Sequence, residues 1–219
     1  EMKDQTSSFG QGATVRVLSK YLFQIQKFRY HKEVVTNSYV EGPFLNDVLD
    51  HKGGNCVGLT ILYLAIAERL KLPMRAALAP EHMFLQFDDG SLKFNLETTI
   101  GGVEASDDVV KQYAITPKRI TKESMFLKPL TKKQALCCVL QWRGEILAAQ
   151  DKLDAALRDF ERVLTYTPDD VGTLNNRANV WCRKGQPDKA IADYSAAIDA
   201  DPSGAYPFLN RGVLNRNKN

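Results

Sequence analysis

Soft metal ligands and acid–base side chains are scarce in this chain, which has four cysteines and three histidines. Cys56, Cys137, Cys138 and Cys182 contain no CxxC pair, which excludes a zinc knuckle or a dithiol redox motif. His31, His51 and His82 lack ligand spacing, and the adjacent Cys137 and Cys138 point to different sides of a helix, so no metal site is expected. So few cysteines suit a reducing compartment, and the chain reads as cytoplasmic. A run of about 18 apolar residues is also missing, so no transmembrane helix is expected. The polar opening, Glu1-Met2-Lys3-Asp4-Gln5-Thr6-Ser7-Ser8, is not a signal peptide, although a chain that starts with Glu leaves an upstream targeting segment open. An excess of one charge is lacking too. With 29 basic and 26 acidic residues the net charge is only +3, and Lys122, Lys128 and Lys132-Lys133 are too sparse for a nucleic-acid face. Gly53-Gly54 and Gly101-Gly102 are isolated pairs without a phosphate-loop Lys-Ser/Thr. No nucleotide and no other cofactor is therefore expected. Gly101-Gly102 instead closes a loop before a helix that Asp107-Asp108 starts near Val109-Val110.

What is present is apolar enough, at 44% hydrophobic residues, to build a core. The last third matches itself at a shift of 34 residues. Leu140 falls on Leu174, Arg143 on Arg177, Gly144 on Ala178, Leu147 on Trp181, Ala156 on Ala190, Phe160 on Tyr194 and Pro168 on Pro202. Phe208, Arg211 and Gly212 begin a third copy. Small residues at Gly144, Ala156, Ala178 and Ala190 suit close helix crossings. Large ones at Leu147, Phe160, Trp181 and Tyr194 fill the gaps between hairpins. This period and residue set resemble tetratricopeptide repeats, over residues 137–219. Asp151 stands where the turn often has Gly, and Val163 where Ala is usual. The resemblance implies a surface that grips a peptide or protein partner, with Arg143, Asn175, Asn176, Arg177, Asn210 and Arg211 as its polar lining. A helical cap that only stabilises its neighbour is the other reading.

The first two thirds read differently. Val15, Leu18, Tyr21, Leu22, Ile25 and Phe28 recur every three or four residues, the spacing of one amphipathic helix face. Pro43 opens a short helical turn, Phe44 to Leu49. Gly53-Gly54 then lets backbone approach closely, and Val57 to Leu72 is apolar almost all round, as a buried helix is. Cys56 thus sits in the first turn of a buried helix, where unpaired amides and the helix dipole favour a thiolate and offer N–H groups to an oxyanion. Met74 to Ala79 and His82 to Phe87 read as strands. Asp88-Asp89-Gly90-Ser91 reads as a hairpin turn, and Leu92 to Thr98 as a third strand. The hairpin brings His82 near Glu97. A buried Cys is often only a small hydrophobe, and a lone strand His is often structural. A helix-start Cys followed by a His beside an acid is the pattern of a nucleophile and its base.

That order of elements resembles the transglutaminase-like/papain-like superfamily, and in detail its SirB-type branch, over residues 35–115. Phe44 to Leu49, Gly54-Asn55-Cys56-Val57-Gly58-Leu59, Pro80-Glu81-His82-Met83-Phe84-Leu85 and Phe94-Asn95-Leu96-Glu97-Thr98-Thr99 carry the likeness. The resemblance implies Cys56 as nucleophile, His82 as general base and Glu97 as the acid that orients the imidazole. That acid is usually Asp, so the longer Glu resets the His–acid distance. Asn95, two residues away on the same strand face, is the substitute. The Cys56 N–H is one oxyanion donor, and Asn55 and Asn46 are the side chains to test for the second. The superfamily's usual Gln or aromatic donor upstream of the Cys has no clear match.

The sequence therefore predicts an α+β fold. A transglutaminase-like domain over 1–130, with its helix-start Cys packed on an antiparallel sheet, precedes all-α tetratricopeptide hairpins over 131–219, about two and a half copies. Residues 116–136, with Pro117 and Pro129, form the connection. The expected activity is a cysteine hydrolase or acyltransferase acting on peptide-like amides, with the repeats recruiting a peptide or protein. The alternative is a non-catalytic scaffold whose repeats are the working surface.

Overall fold

A computed structural model describes residues 10–31, 35–36, 39–40, 44–79, 82–106, 108, 126–202 and 208–212. The chain is a mixed α+β protein with an antiparallel sheet and a helical C-terminal region, in two compact units, Glu1–Ala135 and Leu136–Asn219. Among the described residues, no helix is long and apolar enough to cross a membrane.

The first unit begins with α1 (Gln11–Ser19), which continues as a π-turn over Lys20–Ile25. The periodicity predicts one continuous face, but Tyr21 and Ile25 are 47% and 60% exposed while Val15, Leu18, Leu22 and Phe28 are buried. The reason is the wider hydrogen-bonding step. Gln26 N–H donates to the Tyr21 carbonyl, five residues back, and turns these two side chains off the core face. Short strands follow: β1 (Arg29–Tyr30), β2 (Val35–Thr36) and β3 (Tyr39–Val40). After them come α2 (Leu45–His51), β4 (Gly53–Gly54) and α3 (Cys56–Arg69). The double glycine, expected as a loop, instead pairs in parallel with β1.

The main sheet is an antiparallel meander of β5 (Met74–Ala79), β6 (His82–Asp88), β7 (Lys93–Glu97) and β8 (Val103–Ala105), in that order. Side chains alternate across a strand. One set, Met74, Leu85, Phe87 and Leu96, joins Leu59, Leu62 and Tyr63 of α3 and Val15 and Leu18 of α1 in the principal core. On the other face Ala77, Ala79 and Phe84 pack with Ala105 and Leu127. Residues 126–130 run along β5, with Leu127 N–H on the Leu78 carbonyl and Leu130 N–H on that of Ala76. The helix expected near Val109-Val110, and Pro117 of the expected connection, lie outside the described residues.

The second unit holds α4 (Lys132–Ala149), whose first residues belong to the first unit, then α5 (Leu153–Tyr166), α6 (Val171–Arg183) and α7 (Pro187–Ala200). Asp151 and Gly185, one period apart, both adopt the left-handed conformation, φ 61° and 69°, at the turns inside two helical hairpins. Ala156, Phe160, Ala178, Ala190 and Tyr194 are buried, and Trp181 packs half-buried against them. A Cβ added to Gly144 would meet the Phe160 ring at 2.5 Å. Gly144→Val is therefore expected to lower the stability of this unit by about 1–3 kcal/mol through overpacking, read by urea unfolding followed by helical circular dichroism. An unchanged midpoint would show that Phe160 yields freely.

Candidate active site

The site is built from three local structures. The first is the start of α3. Asn55 is its N-cap and its Oδ1 accepts the Gly58 N–H at 2.9 Å, while its carbonyl accepts from Leu59. The cap fixes the first turn, so the amides of Cys56 and Val57 have no acceptor within the helix. The two glycines before it are closely approached by their neighbours. A Cβ on Gly54 would lie 2.7 Å from Val48 Cγ2, and one on Gly53 would lie 2.8 Å from His31 Nε2. His31 thereby sits against the loop that leads to Cys56, with its backbone N–H on the Gly54 carbonyl at 3.0 Å.

The second is the β6–β7 hairpin. Asp89 organises its turn by accepting from the backbone of Ser91 and Leu92, with Gly90 at φ 89°. The turn sets a register that pairs Leu85 with Leu96 and Gln86 with Asn95. Continued by one residue, that register puts Glu97 beside Phe84, one diagonal step from His82. The third is the 3₁₀ turn Thr98–Ile100, which Glu97 caps.

These pieces converge on His82. Its Nε2 lies 2.6 Å from Glu97 Oε2, with the two side chains 7% and 0% exposed. The other carboxylate oxygen, Oε1, accepts from Thr99 N–H at 3.0 Å and Thr99 Oγ1 at 2.7 Å. The added length of Glu is thus taken up by anchoring one oxygen in the turn while the other reaches the imidazole. Cys56 is the other hydrogen-bonding neighbour of the ring. Burial disfavours the His82 cation, but the bonds to Cys56 and Glu97 and the negative charge of Glu97 outweigh it and push the imidazole up to about 9. Phe84 stacks nearly parallel to the ring, 6.5 Å away and 11° off.

The geometry treats the remaining sequence candidates differently. Asn95 shares the face of Glu97, but its Oδ1 accepts from Gln86 Nε2 at 3.0 Å, so the contact that orients His82 comes from Glu97. Asn55 spends its side-chain oxygen on the helix cap. Asn46 is exposed on α2, with its Nδ2 on Asp47 Oδ1, instead of buried beside the cysteine. His31 was not anticipated beside Gly53-Gly54 because a lone His after Phe28-Arg29-Tyr30 carries no spacing signal, and only the β1–β4 pairing brings it there. In the helical unit, Arg143 and Arg177 are each gripped by both oxygens of an aspartate, Asp159 and Asp193. Asn176 donates to Glu145, Asn210 to Asn175, and Arg211 to Ser195. All six polar residues expected to line a partner surface therefore make bonds within the chain.

A transglutaminase-like superfamily model matches residues 1–141. The chain belongs to the transglutaminase-like superfamily. Its curated relatives include a UPF0162 protein of Xylella fastidiosa strain Temecula1, 25% identical over 207 residues, which cover 90% of this chain and 71% of the relative. The UPF0162 protein YchA of Escherichia coli K12 is 21% identical over 178 residues, covering 78% of this chain and 65% of that protein. Among solved structures, a menin crystal structure superposes over 86% of this chain and 55% of its own, at TM-score 0.44 and 14% identity. In this transglutaminase-like chain the matched region contains Cys56, His82 and Glu97 together.

Proposed function

We propose that the chain is a cysteine hydrolase or acyltransferase acting on peptide-like amides. Cys56 is the nucleophile, His82 the general base and Glu97 the orienting acid. The observation that carries this reading is the buried 2.6 Å contact of His82 with Glu97 on one side and its contact with Cys56 on the other. In the first half-reaction Cys56 Sγ forms a bond to the carbonyl carbon, the C–N bond breaks, and the His82 proton goes to the leaving amine. In the second, His82 takes a proton from water or an acceptor amine, which attacks the thioester and returns the thiolate. The Cys56 N–H is the first oxyanion donor, and His31, held against Gly53, is our choice for the second. Within the superfamily we assign the chain to the SirB-type branch. We read the tail as tetratricopeptide repeats that recruit a peptide or protein, and we place the domain boundary near residue 130. The 34-residue recurrence of the Arg143–Asp159 and Arg177–Asp193 ion pairs supports the repeat reading.

One observation favours a scaffold reading: Asn46 is exposed on α2 with its Nδ2 on Asp47, and Asn55 is held by its Oδ1 as the α3 cap, which leaves only its Nδ2 to serve an oxyanion. Acylation by p-nitrophenyl acetate separates the two readings. The wild type is expected to give an acyl adduct on the Cys56 peptide, seen by mass spectrometry. The adduct should be absent in Cys56→Ser and formed about 100-fold more slowly in His82→Ala. Equal labelling of wild type and His82→Ala would leave the domain as a scaffold. Adding glycinamide to the acylated protein then tells hydrolysis from transfer.

A further inference from the structure

Beyond the cysteine site, the hairpin end of the sheet carries a cavity of about 250 Å³, lined by Pro73, Met74, Arg75, Gln86, Asp88, Lys93 and Pro129. Arg75 pairs with Gln86 and Asp88 with Lys93 in the strand register, so their side chains rise from one face of the sheet. Gln86 is the telling residue. It is 4% exposed, and its Nε2 uses its donors on Asn95 Oδ1 and the Leu127 carbonyl. Its Oε1 is buried and without a partner. A buried amide oxygen with no donor is costly, and an orphan of this kind in a native fold calls for a donor. The oxygen accepts only, so the occupant brings an N–H or O–H.

The rim adds the second half of the specification. Arg75 and Lys93 are exposed cations that, among the described residues, stand in no ion pair, while Asp88 already accepts the Gly90 N–H. A guanidinium is matched in shape to a carboxylate or phosphate. The cavity holds roughly eight waters at about 30 Å³ each, below the usual range for drug-sized ligands. It lies about 13 Å along β6 from His82, four residues at about 3.3 Å, with Phe84 between them.

We propose that this cavity binds a small organic or inorganic anion, a carboxylate or phosphate that carries an adjacent N–H or O–H. The anion lies between Arg75 and Lys93, and its donor satisfies Gln86 Oε1. The site stands apart from the cysteine chemistry and does not depend on it. The test is a titration of the ¹⁵N-labelled full chain, followed by the Arg75, Gln86 and Lys93 amides and the Gln86 side-chain NH₂. The probes are N-acetylglycine, inorganic phosphate and the neutral N-acetylglycinamide. At least one of the two anions is expected to give saturable shifts there, and N-acetylglycinamide to bind at least tenfold more weakly. The double variant Arg75→Ala/Lys93→Ala, at exposed positions, is expected to weaken anion binding at least tenfold. The tighter of the two anions identifies the carboxylate or the phosphate as the source. No saturation with either anion, or saturation indifferent to the double variant, overturns the proposal.

Discussion

Iodoacetamide is expected to alkylate Cys56 at least tenfold faster in the wild type than in His82→Ala at pH 7. His82 is held as a cation to about pH 9, with burial working against it and the bonds to Cys56 and Glu97 working for it. Removing the imidazole takes away the cation beside Cys56, and a neighbouring cation speeds the reaction of a thiol. The wild-type rate should therefore lose its advantage above about pH 9, where His82 gives up its proton. In His82→Ala it should climb with pH, as it does for an ordinary thiol with a pKa of about 8.5. Mass spectrometry of the Cys56 peptide separates this site from Cys137, Cys138 and Cys182. Burial also pushes the Cys138 thiol up to about 11, so it reacts late. Parallel profiles in the two proteins would sink the ion-pair reading and, with it, the proposed nucleophile.

The same pair makes stability depend on pH. A free histidine titrates at 6.5 and His82 in the folded protein near 9. Between those values the folded state holds a proton that the unfolded state has released. Stability is thus fully present below about pH 6.5 and is lost as pH rises through 9. The shift corresponds to a loss of at most about 3 kcal/mol across that window. Urea unfolding at pH 6, 7.5 and 9 should show this decline in the wild type. Glu97→Gln, which removes the carboxylate 2.6 Å from Nε2, should have a shallower decline. Its stability at pH 6 should also be lower, because a buried charge has lost its partner. A wild-type curve that is flat or rises from pH 6.5 to 9 would mean that the folded state carries no extra proton there, His82 being neutral or its proton being matched by one lost from Cys56.

Much of this was legible in local sequence patterns. The Asp-Gly turn with alternating strands specified the β6–β7 hairpin, because turn chemistry and side-chain alternation are short-range properties. The double glycine and apolar run specified α3 with Cys56 at its start. The observed helix, Cys56–Arg69, begins one residue before the expected apolar run and ends three residues short of it. The 34-residue recurrence located the helical hairpins down to the left-handed turns at Asp151 and Gly185.

The face of α1 was less legible, since period counting assumes one hydrogen-bonding step and the π-turn at Lys20–Ile25 uses another. Side-chain partnership was the least legible. Arg143 and Arg177 look like a polar surface when read along the chain, and only the packing of α4 on α5 and of α6 on α7 supplies Asp159 and Asp193. The sequence by itself determined the elements around the site, α3, β5, β6 and β7, and that Cys56, His82 and Glu97 begin or end them. The tertiary structure alone decided that His82 faces Cys56, that Glu97 divides its oxygens between Thr99 and the imidazole, that Asn95 turns to Gln86, and that His31 reaches Gly53. The physical reason is range. Propensity, capping and turn geometry act over a few residues, whereas partners dozens of positions apart are chosen by how the core closes around them.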